Sequence, residues 1–154
     1  MTGTSKPASL KTAAGAWEAL FRAQVAVMRR ISTLPEFHEL SMREYDVLFN
    51  LRHAPENETR IVDLNKHLLI SQPSLSRMVA RLEDRGLVSR CSDPADQRAT
   101  RLSLTEAGLE LQQKVGREHV KALHALLGGV LDEDECQQLQ ALCSKLRAGL
   151  DAAL

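Results

Sequence analysis

The chain has 154 residues, 44% of them apolar and 26% charged, which suits one globular domain with a buried core. Aromatic residues make up only 3%, so that core must be built from Leu, Val, Ile and Ala. Net charge is zero, which argues neither for nor against nucleic acid, because a basic face can be cancelled by an acidic one. No apolar run approaches the roughly 18 residues needed to cross a bilayer, so a membrane is not an expected partner. Cys91, Cys136 and Cys143 form no disulfide framework, no secretory leader is read ahead of them, and a reduced, cytoplasmic setting is expected.

Residues 1–10 are rich in Thr, Ser, Gly and Pro and read as a fraying end. From about Lys11 to Thr33, Trp17, Leu20, Phe21, Val27, Met28 and Ile31 recur at helical spacing, until Pro35 stops the run. Ser41 and Glu44 have capping-box spacing and open a second helix, with Tyr45, Leu48, Phe49 and Arg52 on its inner face and its end near Pro55. The segment PENET has turn chemistry. A short third helix from about Ile61 to Leu68 turns Ile61, Leu64 and Leu68 inward.

Leu69-Ile70 is a tight link to a fourth helix, capped by Ser71, with Pro73 in the first turn where a missing N–H costs nothing. Leu75, Met78, Val79 and Leu82 form its inner face and Gly86 its end. Leu87–Cys91 and Arg101–Leu104 alternate as two short strands around a charged loop, SDPADQRAT. Thr105 caps a fifth helix of about 22 residues, carrying Leu111, Val115, Val120, Leu123 and Leu127, and Gly128-Gly129 breaks it. Asp132 and Glu135 open a sixth, with Leu139, Leu142, Leu146 and Leu150 as its stripe. The expected fold is therefore mainly α with a small β-hairpin wing. The end helices carry more apolar surface than the small centre can cover, so a second copy of the chain is the expected partner.

Two helices joined by a tight turn and followed by a two-stranded ribbon form a narrow pattern, the winged helix-turn-helix. The second helix of such a unit brings its N-terminal residues to base edges. Here those are Ser71, Gln72, Pro73, Ser74, Ser76 and Arg77. Small hydroxyls allow close backbone approach, Gln72 can pair with adenine, and Arg77 can reach a phosphate or a guanine. Charge follows the pattern: from Ser71 to Arg101 six arginines face four acids, whereas from Asp132 onward five acids face Lys145 and Arg147. The plainer reading is a capped surface helix and a solvated hairpin tip.

The segments Ile70–Arg77, Arg81–Arg90, Asp93–Ala99 and Arg101–Gly108 resemble the multiple antibiotic resistance regulator (MarR) family, specifically from Ser41 to Gly108 and loosely outside. The resemblance implies one domain, with a DNA-binding lobe over about 41–105 and dimerisation helices over about 11–33 and 105–152. It implies a homodimer on a palindromic operator in double-stranded DNA, and repression relieved by a small ligand. It also implies that Arg98 of the Asp96-Gln97-Arg98 wing motif enters the minor groove while Asp96 holds it. A narrow A·T-rich groove, where the negative potential is strongest, suits that Arg.

Trp17, Asp46, Arg77 and Arg90 resemble the ligand-contacting positions of the family's urate-responsive branch. Chemically, an indole can stack a planar ring, two guanidiniums can hold an anion, and a carboxylate can accept N–H groups. An aromatic carboxylate, a phenolic compound or a purine such as urate would fit. The structural alternatives are an ion pair between Arg90 and an acid beneath the wing, a partnered Asp46 on a buried helix, and Trp17 in a core or dimer seam. Two further classes stay open, a thiol-based redox sensor and a winged-helix module that binds protein. Cys136 and Cys143 are two helical turns apart, too far to bond each other. His119 and His124 do not share a helix face and no acid or Cys cluster completes a metal site, so no cofactor is expected and no enzyme motif is found.

Overall fold

The computed structural model describes residues 6–68, 70–93 and 95–152; Leu69, Pro94 and the side chains of Asp96, Gln97 and Arg98 lie outside the described residues. Two compact units divide the chain, Met1–Leu34 and Pro35–Leu154. The first unit is helix α1, Leu10–Ile31, whose N-terminus is capped by the Ser9 hydroxyl accepting the Thr12 N–H. Trp17 and Phe21 stack on each other along it, ring centroids 6.0 Å apart, and both are exposed within one chain.

The second unit opens with one 3-10 turn, Pro35–Phe37, and then α2, Met42–His53. The capping box is formed: Ser41 Oγ accepts the Glu44 N–H and the Glu44 carboxylate accepts the Ser41 N–H at 2.9 Å. Such a cap is worth about 1 kcal/mol. The inner face of α2 differs from the expectation. Tyr45, Val47, Leu48 and Leu51 are buried, while Phe49 is 41% exposed and Arg52 lies outside. Val47 and Leu51 widen the stripe because this helix is covered on more than one side, by α3, Ile61–Lys66, and by α5, Glu106–Leu127.

PENET holds more structure than a turn. Pro55–Asn57 make a 3-10 turn that swings Glu56 and Asn57 to φ 56°, and Glu58–Arg60 then form a strand, β1. Three residues are too few for alternation to reveal a strand. Of the residues expected to point inward from α3, Leu64 is buried, whereas Ile61 and Leu68 are only half-buried.

Helix α4, Gln72–Asp84, buries the expected Leu75, Met78, Val79 and Leu82. Ser71 occupies its N-cap position, but its hydroxyl donates to Ser74 Oγ at 2.9 Å and makes no cap to the backbone. Gly86, at φ 69°, ends the helix, and the Leu87 N–H reaches back to the Leu82 carbonyl. The wing strands run longer than expected: β2 is Val88–Asp93 and β3 is Asp96–Leu104, so most of SDPADQRAT is strand. A register shift falls at Ser92/Asp93. The sheet is antiparallel, in the order β1-β3-β2.

Thr105 fastens α4 to α5. Its hydroxyl donates to the Gly86 carbonyl at 2.6 Å and accepts the Gly108 N–H at 3.0 Å. The buried face of α5 is Gly108, Gln112, Val115 and His119, whereas Val120 is exposed. Apolar spacing could not find a face half made of polar side chains. Helix α6, Glu133–Asp151, opens on the expected Asp132–Glu135 capping box and buries none of its own residues.

Candidate nucleic-acid interface

Helix α4 packs on α3 and on β2, which fixes its buried side and leaves its N-terminal turn outward. Ser71, Gln72, Pro73 and Arg77 are exposed, and Ser74 and Ser76 are half-buried. A short polar chain spans that turn: Ser71 Oγ donates to Ser74 Oγ, and Arg77 Nη2 donates to the same Ser74 oxygen at 3.2 Å. Of the sequence-predicted base-reading residues, Ser71, Ser74 and Arg77 are thus brought together by hydrogen bonds at the start of α4. Arg85, at the other end of α4, donates to the Glu39 carbonyl at 2.6 Å and lies 3.6 Å from Glu44, tying the helix to the start of α2.

The wing's backbone is described through β3, and the Asp96 and Arg98 side chains are not. A constellation missed from sequence lies at the wing's base. Asp93 is only 4% exposed; its Oδ2 accepts Arg60 Nε at 2.6 Å and its Oδ1 accepts the Ala95 N–H at 2.9 Å. Arg101 Nε is 3.8 Å from the same Oδ2 and its Nη1 is 3.5 Å from Glu58. The Ala95 N–H and the Arg60 guanidinium hold the Asp93 carboxyl below the usual carboxylate range. The signal available in the sequence was a lone Asp before Pro, which turn chemistry explains as well.

Trp17 stands in the first unit; Asp46, Arg77 and Arg90 stand in the second. No hydrogen bond or ion pair joins Asp46, Arg77 and Arg90 among the described residues. Arg90 pairs with Glu83 at 2.9 Å, the ion pair beneath the wing that its position allowed. Asp46 is half-buried, its side chain accepts no hydrogen bond among the described residues, and burial pushes its pKa up. Beside it on α2, Tyr45 lies in a buried aromatic group with Phe37 and His119. Burial raises the Tyr45 phenol, opposed by its hydrogen bond with Gln112, and Gln112 Oε1 also accepts Arg52 Nη1 at 2.8 Å.

Cys91 and Cys143 are exposed free thiols and Cys136 is half-buried. Among the described residues no group of three His, Cys, Asp or Glu could hold a metal ion, and no helix is long and apolar enough to cross a membrane.

Residues 38–99, from ahead of α2 into β3, match the model of the MarR family. AbsC, a MarR family transcriptional regulator from Streptomyces coelicolor, aligns with a TM-score of 0.77 at 23% identity, over 96% of this chain and 99% of its own. A cysteine-to-serine variant of MarR from E. coli, complexed with operator DNA, aligns with a TM-score of 0.73 at 24% identity, over 90% of this chain and 99% of its own. NadR in complex with 4-hydroxyphenylacetate aligns with a TM-score of 0.66 at 26% identity, over 95% of this chain and 97% of its own. The family model covers the stretch that builds the helix-turn-helix and most of the wing, and over that stretch the chain is similar to the MarR family.

Proposed function

We propose that the chain is a ligand-responsive DNA-binding transcriptional regulator, a repressor that binds a palindromic operator as a homodimer and is released by a small aromatic or anionic effector. The observation that carries the reading is the outward polar turn of α4, Ser71 to Arg77, on the same unit as a two-stranded wing. Gln72 and Arg77 would read the major groove, while Ser71, Pro73, Ser74 and Ser76 allow the helix to approach. Arg98, steadied by Asp96, would enter the minor groove. The operator-bound MarR relative and the ligand-bound NadR relative support both halves of the reading.

The effector reading draws on Trp17, Asp46, Arg77 and Arg90. A ligand shifts the operator equilibrium only by its differential affinity for the DNA-competent and released forms. A half-buried Asp46 without a hydrogen-bond partner is a ready acceptor for a ligand O–H or N–H.

Fluorescence anisotropy on the duplex upstream of the neighbouring gene, at two salt concentrations, tests the DNA half. Specific binding with a steep salt dependence is expected, and Arg98→Ala should weaken it and lower the log–log salt slope by about one. Equal binding by wild type and variant would remove the wing from the interface. Titration with salicylate, 4-hydroxyphenylacetate and urate, read by Trp17 fluorescence and DNA release, tests the effector half. Silence to all three at millimolar concentration would reject the effector classes named.

A further inference from the structure

We infer that Asp93 is a positioning residue for the wing: with Arg60 and Arg101 it forms a clamp that fixes the angle between the wing and the helix-turn-helix. This rests on the DNA-binding reading above and deepens it. Asp93 is buried, with 5% of its side chain exposed, so it cannot itself touch a groove. Any effect it has on DNA must pass through the position of other groups.

Arg60 on β1 stands directly opposite Arg101 on β3. Like charges at opposed positions push strands apart. Asp93 lies at the tip end of β2 and places one carboxylate against both, at 2.6 Å from Arg60 and 3.8 Å from Arg101. Arg101 Nε is itself buried without a hydrogen bond, so that carboxylate is the charge that compensates it. Glu58, 3.5 Å from Arg101, supplies a second, more exposed counter-charge.

The clamp joins parts that are distant in sequence. Arg60 is the residue immediately before α3, the first helix of the helix-turn-helix. Asp93 stands at the register shift where β2 enters the tip, and its second oxygen holds the Ala95 N–H across that turn. One side chain therefore ties the entry of the helix-turn-helix to the turn of the wing. Losing the carboxylate's charge would remove the Asp93–Arg60 link between β1 and the tip end of β2.

The test uses the full chain, with a duplex enriched by the wild-type protein from a random-sequence library. Asp93→Asn should weaken that duplex about tenfold or more and lower the salt slope by about one, as Arg98→Ala does. The double variant Asp93→Asn/Arg98→Ala should be little weaker than either alone, since both act through one contact. By hydrogen exchange, amides at Ser92 and Ala95 should exchange at least about tenfold faster in Asp93→Asn, with α2 and α5 unchanged. Wild-type affinity together with wild-type exchange at the tip would overturn the clamp. If the wild type enriches no duplex, the DNA-binding reading fails, while the exchange experiment still decides the clamp. Should Asp93→Asn fail to fold, Arg60→Gln alone leaves the carboxylate to Arg101 and Ala95, and faster tip exchange is again expected.

Discussion

The imidazole of His119 meets the phenol ring of Tyr45 edge-on, centroids 5.3 Å apart at 65°, and meets the Phe37 ring edge-on at 5.4 Å. This joins α5 to α2 through a titratable group. His119 is 8% exposed and its Nδ1 is buried without a hydrogen bond. Burial holds the imidazole below its ordinary range, and the charge of Glu36 opposes that only in part.

The unfolded chain takes up a proton on this histidine near the ordinary value of 6.5, while the folded chain resists it. The unfolded state then binds more protons, so stability falls as pH drops through that value and levels off below the folded pKa. The urea midpoint should decline between pH 7.5 and 5.5, and His119→Phe should remove part of the decline. A variant whose decline equals that of wild type would clear His119 of any role.

His119 also shows what sequence could reveal and what it could not. The face of α4 was legible because all four of its buried residues are apolar at helical spacing. Both expected capping boxes formed, because a box is specified by two residues three apart. The buried face of α5 was not legible, since Gln112 and His119 are polar and nothing local marks them as interior. β1 and the Asp93 clamp were hidden for a related reason: their meaning comes from β3, some forty residues downstream of β1. Of the candidate site, the α4 residues carry a motif and follow one another along the start of the helix, whereas Asp93 required the strand register.

Gly108 was legible only as part of a resemblance, and the structure supplies its reason. A Cβ there would sit 1.9 Å from the Leu87 carbonyl oxygen and 2.9 Å from its carbon. The obstacle is backbone at the junction of α4, β2 and α5, so no side-chain rotation relieves it. Gly108→Ala should cost about 2–3 kcal/mol or more, despite the better helix propensity of Ala. That corresponds to a melting temperature lower by roughly 5–10 °C. An unchanged melting temperature would show that the α5 start can retreat from Leu87 without loss.

Asp46 should behave in the opposite sense. Burial raises its pKa, so the charged form is penalised in the folded state at neutral pH. Asp46→Asn keeps the shape, removes the charge, and should raise the melting temperature of the ligand-free protein at pH 7.5. Because the folded state holds the proton more tightly than the unfolded chain, the wild type should close the gap as pH falls through the folded pKa. If Asp46 also serves the effector, the stabilised variant should respond to it more weakly, the exchange common at binding sites. A lower melting temperature for Asp46→Asn would mean that the carboxylate has a charged partner in solution.

Leu139, Leu142, Leu146 and Leu150 are 43%, 65%, 50% and 59% exposed in a single chain. Cys136, Leu139, Cys143, Leu146 and Leu150 recur at alternating intervals of three and four, the spacing of a helix–helix seam. A soluble monomer rarely leaves so continuous an apolar stripe in water, and a second copy of the chain is the proposed cover. Leu139→Glu/Leu146→Glu should sediment as a monomer at micromolar concentration, and truncation after Gly129 should do the same. In the wild type the melting temperature should rise with protein concentration, and in the double variant it should not. Stable dimers of both the double variant and the truncated chain would assign the subunit interface to other elements and leave the α6 stripe without its proposed role.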